Sequence, residues 1–146
     1  MPGGFALATK RSACPCGGGR YGDCCGPLHR DEQLALTAEQ LMRARFSAFA
    51  LAEVNFLLCT HPQPQIPDEQ RRRQLVEICR QTRWLELRII STHQGQFSDL
   101  VGTVTFGARF RDGSQRGVLK ETSLFQREGM FPAGAWLYIK ALNIEN

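Results

Sequence analysis

The spacing of the apolar residues changes once, near residue 83, and this change constrains the fold more than any other feature of the sequence. Before it, apolar residues recur every three or four positions, as in helices. After it, aromatic and β-branched residues alternate with polar ones, as in strands. The pattern predicts helices at 37–52, 53–58 and 68–82, then strands at 84–92, 100–111, 116–127 and 135–142. Because helices and strands do not alternate, we predict an α+β fold with helices packed on one face of a curved antiparallel sheet.

Local signals indicate where the helices begin. Thr37 and Gln40 are three residues apart and predict a capping box, in which each side chain bonds a backbone N–H of the first turn. Asp68 is predicted to cap the third helix, and residues 27–36 are predicted to be a connector. The three arginines at 71–73 are predicted to lie mostly on the solvated face of the third helix, with Leu75, Ile78 and Cys79 facing inward.

Four cysteines lie close together in a glycine-rich segment, at Cys14, Cys16, Cys24 and Cys25. The first 26 residues show no apolar periodicity and cannot form a core of their own. Zinc accepts four thiolates at tetrahedral positions, and the glycines at 17–19 allow the chain between the cysteine pairs to turn back. We therefore predict one zinc ion bound by these four cysteines. Residues 1–26 are predicted to form a zinc knuckle ahead of a domain at 27–146, and chelation is predicted to unfold the knuckle alone.

Other roles for the thiols stay open. Adjacent cysteines are poor disulfide partners, and no charged leader with an apolar run precedes them, which predicts a reducing, cytoplasmic location. Cys24 and Cys25 could exchange with a disulfide of a partner, a reaction that bound zinc would suppress. Cys59 and Cys79 lie in apolar helical stretches and are predicted to be buried free thiols.

The charge of the chain does not favour a nucleic-acid partner. The formal net charge is +4, and four thiolates with one divalent zinc would lower it to about +2. Nucleic-acid binding through the knuckle and the arginines at 71–73 is kept as a third hypothesis. No apolar run approaches the roughly 20 residues that span a bilayer, so no membrane span is predicted.

The segment CPCGGGRYGDCC, residues 14–25, resembles the SEC-C motif, a metal-binding tail first recognised at the end of the preprotein translocase ATPase. Its gap between the cysteine pairs is one residue shorter than is typical of that motif. LMRARFSAF, at 41–49, is similar to a stretch of the YchJ-like family of bacterial proteins, which also opens with SEC-C. The similarity continues at 55–58, 61–62, 84–85, 104–111, 121–125 and 136–138.

This resemblance implies a cone-shaped domain of the cystatin-like or nuclear-transport-factor-2-like (NTF2-like) type behind the SEC-C knuckle. Two departures stand out. The Trp-His-Pro of the family is Thr60-His61-Pro62 here, and the second, C-terminal SEC-C copy of many members is not found in these 146 residues.

Cones of this class often enclose a pocket between helices and sheet. The strand at 116–127 places Glu121 and Ser123 on one face with Leu119 and Phe125. Glu121 could act there as a general base beside an arginine that holds a small anionic ligand, or it could form an ion pair that joins helix to sheet. The pocket candidates are Arg43, Arg45, Trp84, Arg109, Glu121 and Ser123.

Catalysis gains no further support from the sequence. It contains no Ser-His-Asp set, phosphate-binding glycine loop or His-x-x-x-His pair, so no catalytic residue is assigned and a role other than catalysis is favoured. If Phe46, Phe106, Phe110 and Phe125 fill the pocket, the catalytic hypothesis loses its site.

The first functional hypothesis is a protein partner bound through the knuckle. A closed site of four thiolates leaves no position for water, so its zinc would be structural. Lys10, Arg11, Arg20 and Tyr21 are predicted to contact an acidic partner. Analogy with the translocase tail implies a protein-export or chaperone-like partner. The alternative is a small-ligand-binding protein or an enzyme that uses the pocket of the cone.

Overall fold

Helices precede an antiparallel sheet in the computed structural model of the protein, which describes residues 11–145. The helices are α1 Cys25–Arg30, α2 Ala38–Leu51, α3 Val54–Cys59 and α4 Asp68–Gln81, with 3-10 turns at Tyr21–Asp23, Glu32–Leu34 and Glu128–Met130. The strands are β1 Thr82–Gln94, β2 Val101–Asp112, β3 Gln115–Arg127 and β4 Trp136–Glu145, hydrogen-bonded in the order β1-β2-β3-β4. The predicted α+β architecture is therefore confirmed. None of the helices within residues 11–145 combines the length and apolar character needed to cross a bilayer.

The start of α2 follows its sequence signal closely. The Thr37 hydroxyl accepts a hydrogen bond from the Gln40 backbone N–H at 3.1 Å. The Gln40 side chain bonds back to the N–H of Leu36 at 2.6 Å, one residue before the position of a standard capping box. The helix ends at Ala52, which adopts the left-handed conformation with φ 60°.

The segments that lead into α2 and α4 differ in detail from the predictions. The connector at 27–36 contains helical turns, because α1 runs through Pro27 and a 3-10 turn capped by Asp31 follows it. Pro27 is tolerated because it lies in the first turn of α1, where a backbone N–H has no partner within the helix. Pro67 takes the N-cap position of α4, so Asp68 is its first residue and makes no side-chain cap.

The sheet bends around the helices. Its register shifts between Trp84 and Glu86 and between Ile89 and Ser91 on β1, and at two further places in the pairing of β3 with β4. Such bulges increase strand curvature. The concave face buries apolar side chains against α2, namely Val104, Phe106, Ala108, Phe125 and Trp136.

The inner face of α4 also differs from the prediction. Arg71, predicted to face solvent, is buried and donates a hydrogen bond to the His61 carbonyl oxygen. Ile78 lies on the inner side of α4 with Leu75, as predicted, although it is partly exposed there. Of the two isolated cysteines, Cys79 is buried as predicted, whereas Cys59 is exposed because it is the last residue of the short helix α3.

Candidate metal centre and adjoining cavity

The chain around the first cysteine pair forms a tight hairpin. Ala13 pairs with Arg20 in an antiparallel bridge, and the Cys14 N–H donates to the Gly19 carbonyl at 2.7 Å. Gly17 and Gly19 have φ of 83° and 120°, values that favour glycine because it lacks a Cβ. The hairpin returns the chain to the first pair, and the second pair follows at the start of α1.

The four sulfur atoms of Cys14, Cys16, Cys24 and Cys25 all lie within 4.8 Å of one another. The Sγ of Cys16 is 3.5 Å from that of Cys24 and 3.7 Å from that of Cys25, and the last two are 3.9 Å apart. A tetrahedral zinc site with Zn–S bonds of about 2.3 Å would space its sulfurs about 3.8 Å apart. All six cysteines carry free thiols. The donor set and its spacing therefore fit a four-thiolate metal site.

Gly18 approaches two of these sulfurs so closely that it leaves no room for a side chain. A Cβ at this position would lie 2.9 Å from the Sγ of Cys24 and 3.2 Å from the Sγ of Cys16. Any other residue would have to displace the hairpin or the ligands. The glycine run therefore provides close approach at 18 as well as positive φ on either side.

The electrostatics of the four thiols explain why a cation suits them. Hydrogen bonds from Cys16 and Cys25 hold the pKa of Cys14 far below its usual range. The shared hydrogen bond with Cys14 raises the pKa of Cys25, and burial raises the pKa of Cys24 to about 12. One thiolate thus prevents its neighbours from ionising, and a divalent cation would offset the charge needed for the others to do so.

The metal centre is packed directly against α2. The Ser47 hydroxyl lies 3.3 Å from the Sγ of Cys14 and 3.4 Å from that of Cys25. Arg43 Nη1 donates to the Cys16 carbonyl at 3.0 Å, while its Nε pairs with Glu39 at 2.9 Å. Cys14, Cys16 and Cys25 belong to the same buried cluster as the core of the cone. The knuckle therefore shares a core with the domain that follows it.

A second link, through His29, was not predicted from the sequence. The His29 Nε2–H donates to the Ala44 carbonyl at 2.8 Å, so its Nδ1 accepts from the Tyr21 hydroxyl at 2.6 Å. The ring also packs edge-on against Phe56, with centroids 4.9 Å apart. Burial lowers the pKa of His29, so the ring is neutral at pH 7. The only sequence signal for this residue was its position shortly after the second cysteine pair.

A cavity of about 350 Å³ lies between α2 and the concave face of the sheet. Its polar lining consists of Arg45, His61, Glu121 and Tyr138. Phe46 and Phe106 line the cavity rather than fill it, and Phe110 and Phe125 lie outside its lining. The other lining side chains are Met42, Phe49, Leu75, Ile78, Trp84, Ala108 and Leu119.

The structure separates the six predicted pocket residues. Arg45, Trp84 and Glu121 line the cavity, and the Ser123 hydroxyl donates to Glu121 Oε2 at 2.5 Å. Arg43 and Arg109 lie elsewhere, which corrects their expected location. Arg43 lies two positions before Arg45 on α2, and residues two apart on a helix point in different directions. Arg43 therefore faces the knuckle rather than the cavity. Arg109 alternates with the inward-facing Ala108 on β2 and pairs with Glu86 on the convex face at 2.8 Å.

Arg45 is a buried cation without an acidic partner. Its Nη1 donates to the Leu57 carbonyl at 3.2 Å and to the Thr60 hydroxyl at 2.7 Å, and its Cζ lies 4.8 Å from the Tyr138 ring centroid. Among residues 11–145, no carboxylate forms a salt bridge with it. The direct ion pair with an arginine, one of the two roles considered for Glu121, therefore does not form, and Glu121 attracts Arg45 only from a longer distance. Burial lowers the pKa of Arg45 to about 10, which leaves it charged at pH 7.

The other polar groups of the cavity are engaged. Glu121 Oε2 accepts hydrogen bonds from Ser123 and from the Tyr138 hydroxyl, the latter at 3.0 Å. His61 Nδ1–H donates to the Tyr138 carbonyl at 2.9 Å, and its Nε2 accepts from Gln63 at 2.6 Å. Burial lowers the pKa of His61, so the ring is neutral at pH 7. Both nitrogens of His61 are therefore bonded, whereas Glu121 has bonds to Oε2 alone.

Comparisons with known proteins agree with this architecture. The family described as the middle NTF2-like domain of YchJ matches residues 37–141. A UPF0225 protein of Ralstonia nicotianae is 39% identical over 88% of this chain and 89% of its own, and one of Sodalis glossinidius is 39% identical over 92% and 85%. The crystal structure of a SEC-C motif containing protein from Psychrobacter arcticus superposes with a TM-score of 0.69 at 22% identity, over 94% of this chain and 85% of that one. The shared fold includes most of the described chain.

Proposed function

This chain belongs to the YchJ-like UPF0225 family, and we propose that Cys14, Cys16, Cys24 and Cys25 bind one structural zinc ion in it. The observation that carries this proposal is the convergence of the four sulfurs within 4.8 Å of one another. A tetrahedral set of thiolates suits zinc, and it leaves no coordination position for a reacting water.

Elemental analysis of the purified protein tests the metal and its ligands together. We expect about one zinc per chain, lost when Cys24 and Cys25 are both replaced by serine. Cys59→Ser is the matched control, because Cys59 is a free thiol that lies exposed outside the cluster, and it should retain the metal. Zinc-free wild-type protein, or zinc retained by the double variant, would refute the assignment. Iron in place of zinc would refute the identity of the metal alone.

We further propose that the knuckle, residues 1–26, and the NTF2-like domain, residues 27–146, unfold as one unit. The contacts of Ser47 and Arg43 with the cysteines support this coupling. The proposal replaces the expectation that chelation spares the larger domain. Removal of the metal should leave buried thiols and an unsupported hairpin against α2, and so destabilise the shared core.

The proposed biological role is binding of an acidic protein partner through the exposed side of the knuckle. Arg11 and Arg20 lie exposed there and support this role. Tyr21 is buried against His29, which removes it from the expected contacts, and Lys10 lies outside the described residues. A link to protein export or chaperones rests on analogy with the translocase tail alone.

Charge reversal tests this docking role. Arg11→Glu with Arg20→Glu should abolish co-purification of the partner from a bacterial extract, because like charges repel across an interface. Arg73→Glu, on the exposed face of α4, is the control and should leave it unchanged. Equal recovery with both variants would exclude the proposed surface.

Nucleic-acid binding through residues 71–73 receives no support from the side-chain contacts. Arg71 is buried, and Arg72 donates to the side chain of Asn55, so the three arginines do not form one free basic patch. Any affinity for DNA or RNA should therefore be weak and should fall steeply with salt.

A second candidate function is binding of a small ligand in the cavity of the cone. The open space of about 350 Å³ beside the unpaired guanidinium of Arg45 favours it. That volume lies near the lower end of the range found for ligand sites. Both ring nitrogens of His61 are hydrogen-bonded, and Glu121 Oε2 accepts from Ser123 and Tyr138, so this candidate is proposed as binding rather than catalysis.

A further inference from the structure

The cavity contains a buried cation whose hydrogen-bonding capacity is only partly used. Arg45 is 6% exposed. A guanidinium has five N–H donors, and both of the protein hydrogen bonds of Arg45 come from Nη1. Its Nε and Nη2 have no partner within residues 11–145. They are not sealed off by protein atoms either, since the Trp84 indole nitrogen is the only fully enclosed polar side-chain atom without a partner in that range. These donors are therefore available to a molecule in the cavity.

The charges around this end of the cavity do not balance. Arg45 and the neighbouring Arg71 are both cationic, and His61 is neutral. Glu121 is the one acidic residue that lines the cavity among the described residues, and its Oε2 is directed to Ser123 and Tyr138. Two positive charges and one negative charge leave an excess of one positive charge. One anionic group would neutralise it, and a buried charge is costly unless it is paired.

The remainder of the cavity is aromatic and apolar. Trp84 forms its wall with Phe46 and Phe49, at ring-centroid distances of 6.2 and 6.4 Å. The Arg45 Cζ lies 5.9 Å from the Phe49 ring, so the cation adjoins this aromatic wall. The indole N–H of Trp84 is enclosed by protein atoms, so Trp84 contributes aromatic surface to the site, and the accessible unpaired donors are those of Arg45.

We propose that the cavity binds a small hydrophobic monocarboxylic acid, with its carboxylate on the free edge of the Arg45 guanidinium and its apolar body against Phe46, Phe49 and Trp84. The planar fork of arginine matches the two oxygens of a carboxylate. A phosphate ester or another dianion would bring two negative charges to a site that has an excess of only one positive charge. This inference rests on the second candidate function, ligand binding in the cavity.

Calorimetric titration of the zinc-loaded full chain tests the ligand class with two acids, 3-phenylpropionate and octanoate, and with their amides. The amides keep the apolar body and lose the charge. We expect each acid to bind at least about tenfold more tightly than its amide, since a tenfold change corresponds to the loss of one modest interaction. Equal binding of acid and amide would overturn the carboxylate assignment and leave ligand binding intact. Failure of all four compounds to bind would overturn the inference and the second candidate function together.

Variants locate the site within the molecule. Arg45→Lys keeps the charge but loses the fork, and should weaken binding of the acids more than that of the amides. Leu119→Trp adds bulk to the cavity from β3, whereas Arg45 lies on α2, and it should abolish binding. Val118→Trp is its control, because Val118 is the adjacent residue on the opposite, exposed face of β3. Binding that survives Leu119→Trp would place the ligand elsewhere, and the zinc content of each variant shows whether its knuckle is intact.

Discussion

At the scale of single residues, the knuckle depends on side chains that contact the sulfurs from outside the cysteine pattern. Ser47 lies beside Cys14 and Cys25 although more than twenty residues separate it from either in sequence. His29 provides a separate link, from the Tyr21 hydroxyl to the backbone of α2. The cysteines could be predicted as ligands because all four are neighbours in sequence. Ser47 and His29 could not, because their roles arise only when α2 packs against the hairpin.

Replacement of Gly18 by alanine should weaken zinc binding. The added Cβ would lie 2.9 Å from the Sγ of Cys24 and would displace a ligand from its tetrahedral position. We expect the zinc dissociation constant, measured by competition with a chromogenic chelator, to rise by about tenfold or more, as for loss of metal-site geometry. Gly107→Ala is the control, because a Cβ there would meet its nearest neighbour at 3.9 Å. Equal affinities for the two variants would contradict the proposed packing of Gly18.

The buried neutral ring of His29 should make stability depend on pH. Burial lowers the pKa of His29 below 6.5, so the unfolded chain binds more protons than the folded chain as the pH falls below about 6.5. The stabilisation from this residue is therefore full above about pH 6.5 and declines as the pH drops towards the folded pKa. His61 contributes with the same sign, because burial lowers its pKa as well.

Comparison with His29→Gln isolates this contribution. Glutamine does not titrate, and acid release of zinc and the titration of His61 are common to both proteins. The free energy of unfolding, measured by urea at a series of pH values from 8 down to about 5, should therefore fall less steeply with pH in the variant. Identical slopes would show that His29 does not titrate between the folded and unfolded states in this range.

At the scale of secondary structure, α2 serves two sites with two faces. Arg43 and Ser47 face the knuckle, while Arg45 and Phe49 face the cavity. Residues four apart on a helix share a face, whereas residues two apart point in different directions. One helix therefore connects the candidate metal centre to the candidate ligand site.

Loss of Arg43 should destabilise the protein more than loss of an equivalent arginine on α4. Arg43→Ala removes a hydrogen bond to the Cys16 carbonyl and should lower the free energy of unfolding by about 1 kcal/mol. Arg73→Ala is the matched control, since Arg73 also has a helical i,i+4 acid, Glu69, but its Nη1 lies 3.9 Å away and the pair is exposed. Its loss should cost no more than about 0.5 kcal/mol. Equal urea midpoints for the two variants would contradict the proposed role of Arg43 in coupling α2 to the knuckle.

The elements differ in how far they could be predicted. The four strands and the three predicted helices begin and end within three residues of their expected bounds. Apolar periodicity predicts such elements well because each is buried on one face only. Helix α1 was missed because its first three residues, Cys25, Gly26 and Pro27, have no periodicity of their own. On α4 the placement of Arg71 was wrong, because this side chain is held inward by the His61 carbonyl, a contact with no local signal.

At the scale of the whole molecule, the hairpin, α2 and the concave face of the sheet form one continuous core. Cys16 and Cys25 belong to the same buried cluster as Leu41 and Phe125. The resemblance to the family predicts the cone, but not that its cavity is open. Openness depends on the direction of individual side chains, such as Phe46 and Phe106, which line the space at its edges. It also depends on Arg45, whose buried charge has no acidic partner among the described residues.

Amide hydrogen exchange before and after removal of zinc by a chelator tests the central claim most directly, namely that the metal centre stabilises the whole shared core. We expect protection to fall across α2, residues 38–51, as well as in the knuckle and α1, and to return when zinc is restored. Faster exchange confined to residues 11–30, with α2 as protected as before, would show that the knuckle is an independent appendage and would contradict this claim.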